Sequence, residues 1–228
     1  MKKLLFSLFA YVIILATLNI IALAYINVGL NNFIKYNKYE NTFKDVQKND
    51  WYYDNVTSSY EYSLMKGKDE KTFDPKGNIT IAETITVAVR INSIYFYEMP
   101  PLFEMVEGVW YEPYVSYASE SEIITEEYTN YNKAATRAEF AKILARSISD
   151  TDFEEINYIA NGAIPDVDMN NDYAPAVYLL YRAGVLTGSD SKGTFKPNDT
   201  ITRAEASAII TRIVDPSLRK NIELAGEF

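Results

Sequence analysis

The residues best placed to do chemistry sit in two tetrapeptides, Thr136-Arg137-Ala138-Glu139 and Thr202-Arg203-Ala204-Glu205. A Thr three positions before a Glu is the capping-box pattern. The Thr oxygen accepts from the backbone N–H of the third helical residue, and the Glu reaches back to the N–H of the cap. The Arg then stands at the first helical position. Backbone N–H groups there lack partners within the helix and the helix dipole is positive, so the place favours an anion. A guanidinium beside it adds a planar fork that grips a carboxylate through two hydrogen bonds. The pattern predicts anion recognition; the plainer alternative is an Arg paired with a neighbouring carboxylate. A third box, Thr80-Ile81-Ala82-Glu83, has no Arg and reads as a cap alone.

Other chemistries are narrowed by what the chain lacks. It has no Cys and no His, which removes thiolate metal sites, Cys/His nucleophile pairs and imidazole bases. Glu83, Glu139 and Glu205 are accounted for as caps, and no carboxylate pair is left to suggest hydrolysis of a glycosidic bond. The stretch Asp166-Val167-Asp168-Met169-Asn170-Asn171-Asp172 has the spacing of a calcium loop. However, its sixth position is Asn171 where glycine is needed, and its twelfth is Val177 where a glutamate is needed. The chain therefore reads as a non-enzyme with no metal and no cofactor. A net charge of -9 repels phosphate backbones and excludes nucleic acid as a partner. Any acidic ligand must be held by local basic spots.

The elements that position the two Arg residues occur in three copies. Residues 51–67, 110–125 and 172–188 align without gaps. They share the columns Tyr52, Tyr111, Tyr173, then Val56, Val115, Val177, then Met65, Ile124, Leu186. A second block follows at 78–91, 134–147 and 200–213, and carries Arg90, Arg146 and Arg212 in one column. Copies one and three share the loop Lys71-Thr72-Phe73-Asp74-Pro75 against Gly193-Thr194-Phe195-Lys196-Pro197, and the openings Asp45-Val46 and Asp166-Val167. The middle copy has a shorter, unrelated loop, 126–133. Each copy predicts helix, loop, longer helix. Val177, Leu180, Tyr181 and Gly184 fall at helical spacing in one block, and Ala206, Ile209, Ile210 and Ile213 in the other. Gly184 and Gly188 stand at helix-end and turn positions. Arg90, Arg146 and Arg212 are read as structural, near helix C-terminal ends. Trp51 and Trp110 open the first helices, where an indole serves either the core or a sugar ring.

A helix pair cannot bury its apolar stripe alone, but three pairs can do so together. The expected fold is mainly α, a pseudo-threefold bundle of three helix-loop-helix repeats. The expected boundaries are a tether at 29–42, repeat one at 43–91, a linker at 92–109, repeat two at 110–147, a linker at 148–163, repeat three at 164–215 and a tail at 216–228. Copy one has Ile81 in the Arg column and copy three has Asp172 in the Trp column, so at most two sites are complete. Residues 4–24 are uncharged and follow Lys2 and Lys3. Segment 1–28 therefore reads as a signal peptide or a membrane anchor helix, leaving the rest outside the cytoplasm.

Taken together, Asp45-Val46, Trp51, Gly67, Phe73 and Pro75, their partners Asp166-Val167, Gly188, Gly193, Phe195 and Pro197, and the two Thr-Arg-Ala-Glu starts resemble the S-layer homology domain over about 43–215. The resemblance implies a spindle-like trimer of motifs at the bacterial cell surface. It also implies non-covalent attachment to the envelope by binding an anionic secondary cell wall polymer, often a pyruvylated glycan. Arg137, Arg203, Thr136, Thr202, Trp51, Trp110 and Gly188 would be its contacts. A second reading, favoured by the missing Arg of copy one, is a membrane-tethered structural module that binds other envelope proteins and no glycan.

Overall fold

The computed structural model describes residues 27–103 and 108–224. The segment expected to be a signal or anchor, 4–24, lies outside the described residues. Among these, no helix is long and apolar enough to cross a membrane.

The described chain is mainly helical and contains no strands. Three short helices, α1 (Tyr53–Glu61), α3 (Glu112–Glu120) and α5 (Ala174–Arg182), alternate with three that begin at the capping boxes, α2 (Ile81–Tyr97), α4 (Arg137–Ala145) and α6 (Arg203–Val214). Each box is complete. Thr80, Thr136 and Thr202 sit in the extended region and accept from the amides of Glu83, Glu139 and Glu205, whose carboxylates return to the cap amides. Gly184 and Gly188 adopt φ of 70° and 79°, the left-handed conformation that glycine reaches without a Cβ clash.

Helices adjacent in sequence are not always the ones that pack. α3 lies on α2, α5 lies on α4, and α1 lies on α6, so each short helix covers the boxed helix of the preceding copy and copy one closes onto copy three. The segments just before the boxes tie the three copies at the centre. Ala135 N–H donates to the Ile79 carbonyl at 2.9 Å, Ile79 to Ile201 at 3.1 Å, and Ile201 to Ala135 at 3.4 Å. The three side chains of this ring are buried. A peptide group removed from water needs a partner, and here each copy supplies that partner to the next.

The boundaries differ from those read in the sequence. α2 runs on through Tyr97, so the first third of the expected linker 92–109 is helix, because Ile91, Ile94 and Tyr95 continue its buried stripe. The stretch expected to be a tether, 29–42, packs against the fold through Leu30, Phe33, Tyr36 and Tyr39. The amides of Tyr36 and Asn37 both donate to the Glu61 carbonyl, and Asn37 Nδ2 donates to Tyr60. Residues 153–159 repeat this arm in copy three. The amides of Ile156 and Asn157 both donate to the Arg182 carbonyl, and Asn157 Nδ2 donates to Tyr181. The tail also docks, with Lys220 N–H on the Gly184 carbonyl and Ile222 N–H on Asn157 Oδ1.

Candidate functional site

The loops fix the two Arg side chains before any ligand does. Asp45 accepts from the amides of Phe73 and Asp74, and Asp166 accepts from those of Phe195 and Lys196, at 2.6–2.9 Å. This is the work of the Asp-Val openings, and it sets the two Phe residues. Phe73 takes Arg203 Nε on its carbonyl at 2.8 Å, with the guanidinium 4.8 Å from its ring centroid. Phe195 takes Arg137 Nε at 2.7 Å, with the guanidinium 5.4 Å from its ring centroid. An Arg over an aromatic face gains cation–π attraction, more so when desolvated.

Two grooves result, and each draws on all three copies. Arg137 of copy two floors a groove of about 490 Å³, lined by Gly188, Ser189, Lys196, Glu205 and Arg212 of copy three and walled by Trp51 of copy one. Arg203 of copy three floors a groove of about 290 Å³, lined by Lys66, Gly67, Lys68, Glu83 and Arg90 of copy one and walled by Trp110 of copy two. The two indoles are 65% and 50% exposed, which places them on the groove walls and not in the core. Gly188 is required at its turn, since a Cβ there would stand 2.6 Å from the Gly193 backbone.

The third position in this cycle is built differently. Ile81 stands where the other boxed helices carry Arg, with its amide on the Lys133 carbonyl of copy two. Asp172 replaces the Trp, Glu126 replaces the glycine of Gly67 and Gly188, and Lys142 replaces Thr86 and Ala208. Lys142 Nζ lies 2.7 Å from Glu126 and 2.6 Å from Asp172. Burial alone would lower the Lys142 pKa, but the hydrogen bonds to the two carboxylates outweigh it and raise the value. The losses at Ile81 and Asp172, which the sequence assigns to two separate copies, therefore fall in one place. The same place holds an internal ion triad.

The helix N-termini correct the expectation of free amides. At α4 the cap amide goes to Glu139 Oε2, the first helical amide to the Asp199 carbonyl at 2.8 Å, the second to Pro197 at 3.0 Å and the third to Thr136 Oγ1 at 3.2 Å. At α6 the corresponding partners are Glu205 Oε2, Gly77, Pro75 and Thr202 Oγ1. All four amides that an isolated helix leaves open are closed. Thr136 and Thr202 are engaged in their boxes, which leaves side chains, not helix amides, as the open donors of the grooves. Sequence reasoning also missed Arg90 and Arg212 as groove residues. Arg90 is mid-helix, and both donate Nη1 to an aligned carbonyl, Leu64 and Val185, while lining the grooves. Their shared column with Arg146 was the available signal. Among the described residues no cluster of side chains is arranged to hold a metal ion.

The chain is 33% identical over 132 residues to the middle cell wall protein of Brevibacillus brevis, covering 57% of this chain and 12% of that one. It is 25% identical over 175 residues to the S-layer protein sap of Bacillus anthracis, covering 75% and 21%. It is also 28% identical over 165 residues to an amylopullulanase of Thermoanaerobacterium thermosulfurigenes, covering 71% and 8%. The chain thus spans about a fifth or less of the length of these relatives. Residues 110–147 lie outside the stretches matched by a family model. That model, of the S-layer homology domain, matches this chain at two positions, residues 42–85 and 163–207.

Proposed function

We propose that the three helix pairs, the middle one included, form a single S-layer homology module that is not catalytic. The module attaches its bearer non-covalently to the bacterial envelope by binding an anionic secondary cell wall polymer. The observation that carries this reading is the pairing, in two grooves, of an Arg held over an aromatic ring with an exposed Trp wall. A guanidinium recognises an acidic substituent, such as the carboxylate of a pyruvyl ketal, and an indole face packs on a sugar ring. Such sites let a chain with a net charge of -9 hold an acidic glycan. Residues 4–24 serve export or anchoring, and the module works at the cell surface.

Sedimentation with purified cell wall sacculi tests the reading. The folded protein co-sediments with intact sacculi and stays in the supernatant after acid extraction of the polymer. Folded protein that ignores intact sacculi overturns the glycan reading, and the protein-interaction module takes its place.

A further inference from the structure

The two grooves are not equivalent, and the difference lies in what each guanidinium already holds. Arg203 is 3% exposed and fully engaged. Nε donates to the Phe73 carbonyl, Nη2 to the Lys66 carbonyl at 2.7 Å, and Nη1 to Glu83 Oε1 at 3.0 Å. Lys68 Nζ holds the same Glu83 oxygen at 2.7 Å. Arg137 is 9% exposed and donates only Nε to the protein. The nearest carboxylate oxygen to its terminal nitrogens, Glu205 Oε1, is 3.7 Å away, and neither Nη1 nor Nη2 makes a hydrogen bond among the described residues. These nitrogens face the groove that Glu205, Gly188 and Trp51 line. They are the open edge of an otherwise buried side chain, free to donate to a ligand in the groove.

The cause is visible in the aligned columns. Lys68 has Ser189 as its counterpart in copy three. Without that ammonium, Glu205 is not drawn across its Arg, and its side chain is 42% exposed against 19% for Glu83. Glu83 therefore sits in the Arg203 fork as an internal anion.

Resting on the wall-polymer reading above, we infer that the polymer's carboxylate is taken by the Arg137 groove alone. Arg203 is a latch between copies three and one, its three nitrogens already taken by the protein and none left open for that carboxylate. The Arg137 groove sets Arg137, Lys196 and Arg212 against Glu205 and Asp199, and the Arg203 groove sets Arg203, Arg90, Lys66 and Lys68 against Glu83, so the grooves differ in the free guanidinium edge and not in a lack of positive charge. The free edge at Arg137 suits a planar group with a single negative charge. Its two oxygens match Nη1 and Nη2, a pairing that an ammonium cannot copy.

The test uses polymer released from sacculi and titrated calorimetrically into the protein, together with the same polymer after carbodiimide amidation, which neutralises carboxylates and leaves phosphates charged. Arg137→Lys is expected to weaken binding of the untreated polymer about tenfold or more, with a smaller fall in melting temperature than Arg203→Lys because only Nε is held by the protein. Arg203→Lys is expected to lower the melting temperature further and to weaken binding less than Arg137→Lys does. Glu83→Gln keeps the capping box, since Gln serves at that position, and removes the internal anion. It is expected to raise the number of amidation-sensitive sites per chain from one to two. Equal losses for Arg137→Lys and Arg203→Lys, or two such sites in the unaltered chain, overturn the inequality and leave the wall-polymer reading intact. Undiminished binding of the amidated polymer overturns the carboxylate assignment. No binding of either polymer by the unaltered protein sinks the wall-polymer reading itself.

Discussion

Glu83 and Glu139 share two roles, and Glu83 has Arg203 as a further partner. They close a capping box and receive a lysine, Lys68 at 2.7 Å and Lys133 at 2.6 Å. Burial alone would raise both carboxyls, but those lysines and the cap amides outweigh it and hold them below the ordinary range. A carboxyl with a depressed folded value stabilises the fold fully above its unfolded value, about 4.3, and that contribution is lost as pH falls through the folded value. The melting temperature is therefore expected to drop on acidification below about pH 4.3, and Glu83→Gln to flatten that drop; thermal scans from neutral to acid pH check it. At this scale the sequence is readable where a partner is local. The boxes need only a spacing of three. The Asp166 carboxylate finds its amides at Phe195 and Lys196, a pairing created by tertiary folding and announced by nothing near Asp166. The same limit hid the Arg203–Glu83 contact, which joins residues 120 positions apart.

The elements divide the same way. The starts of α2, α4 and α6 stand at Thr-x-x-Glu, where a side chain competes for local amides. The arms 30–39 and 150–159 escaped because they have neither helical nor strand period. They are held by carbonyls at the ends of α1 and α5, and their polar composition resembles a tether. Two substitutions weigh the kinds of element against each other. Thr136→Ala is expected to lower stability by about 1 kcal/mol, the usual value of a cap. Asn157→Ala is expected to lower it by about 2–3 kcal/mol. Asn157 is buried, and its loss leaves the Lys220 carbonyl and the Ile222 amide without partners and takes a side-chain donor from the Tyr181 carbonyl, which keeps the Gly184 amide. Asn37→Ala, at the exposed equivalent in copy one, is expected to cost about 1 kcal/mol or less. Denaturant unfolding of the three variants ranks them, and an Asn157→Ala loss no larger than that of Asn37→Ala would remove the arm from the structural account.

For the whole molecule, the threefold repetition is plain in the aligned blocks, but the order in which the helices pack is not. Nothing in the sequence of α1 says that its partner is α6. The grooves follow from that order, since Trp51, Arg137 and Gly188 meet only once copy one has closed onto copy three. A chain ending at residue 163 is thus expected to lose more than the third repeat. α1 loses its packing partner and Ile79 loses the Ile201 carbonyl. Circular dichroism and limited proteolysis of that fragment should show copy one unfolded as well, and a fragment with two intact copies would contradict the ring.

The closure has a consequence for how the protein is made. A polypeptide is synthesised from its N-terminus, and α1 is separated from α6 by everything between Glu61 and Arg203. Until the last helix emerges, the apolar side of α1 has no cover, and a nascent or broken product displays it to chaperones and proteases. The first repeat thereby reports on the last, and proteases can remove incomplete chains while that face is uncovered.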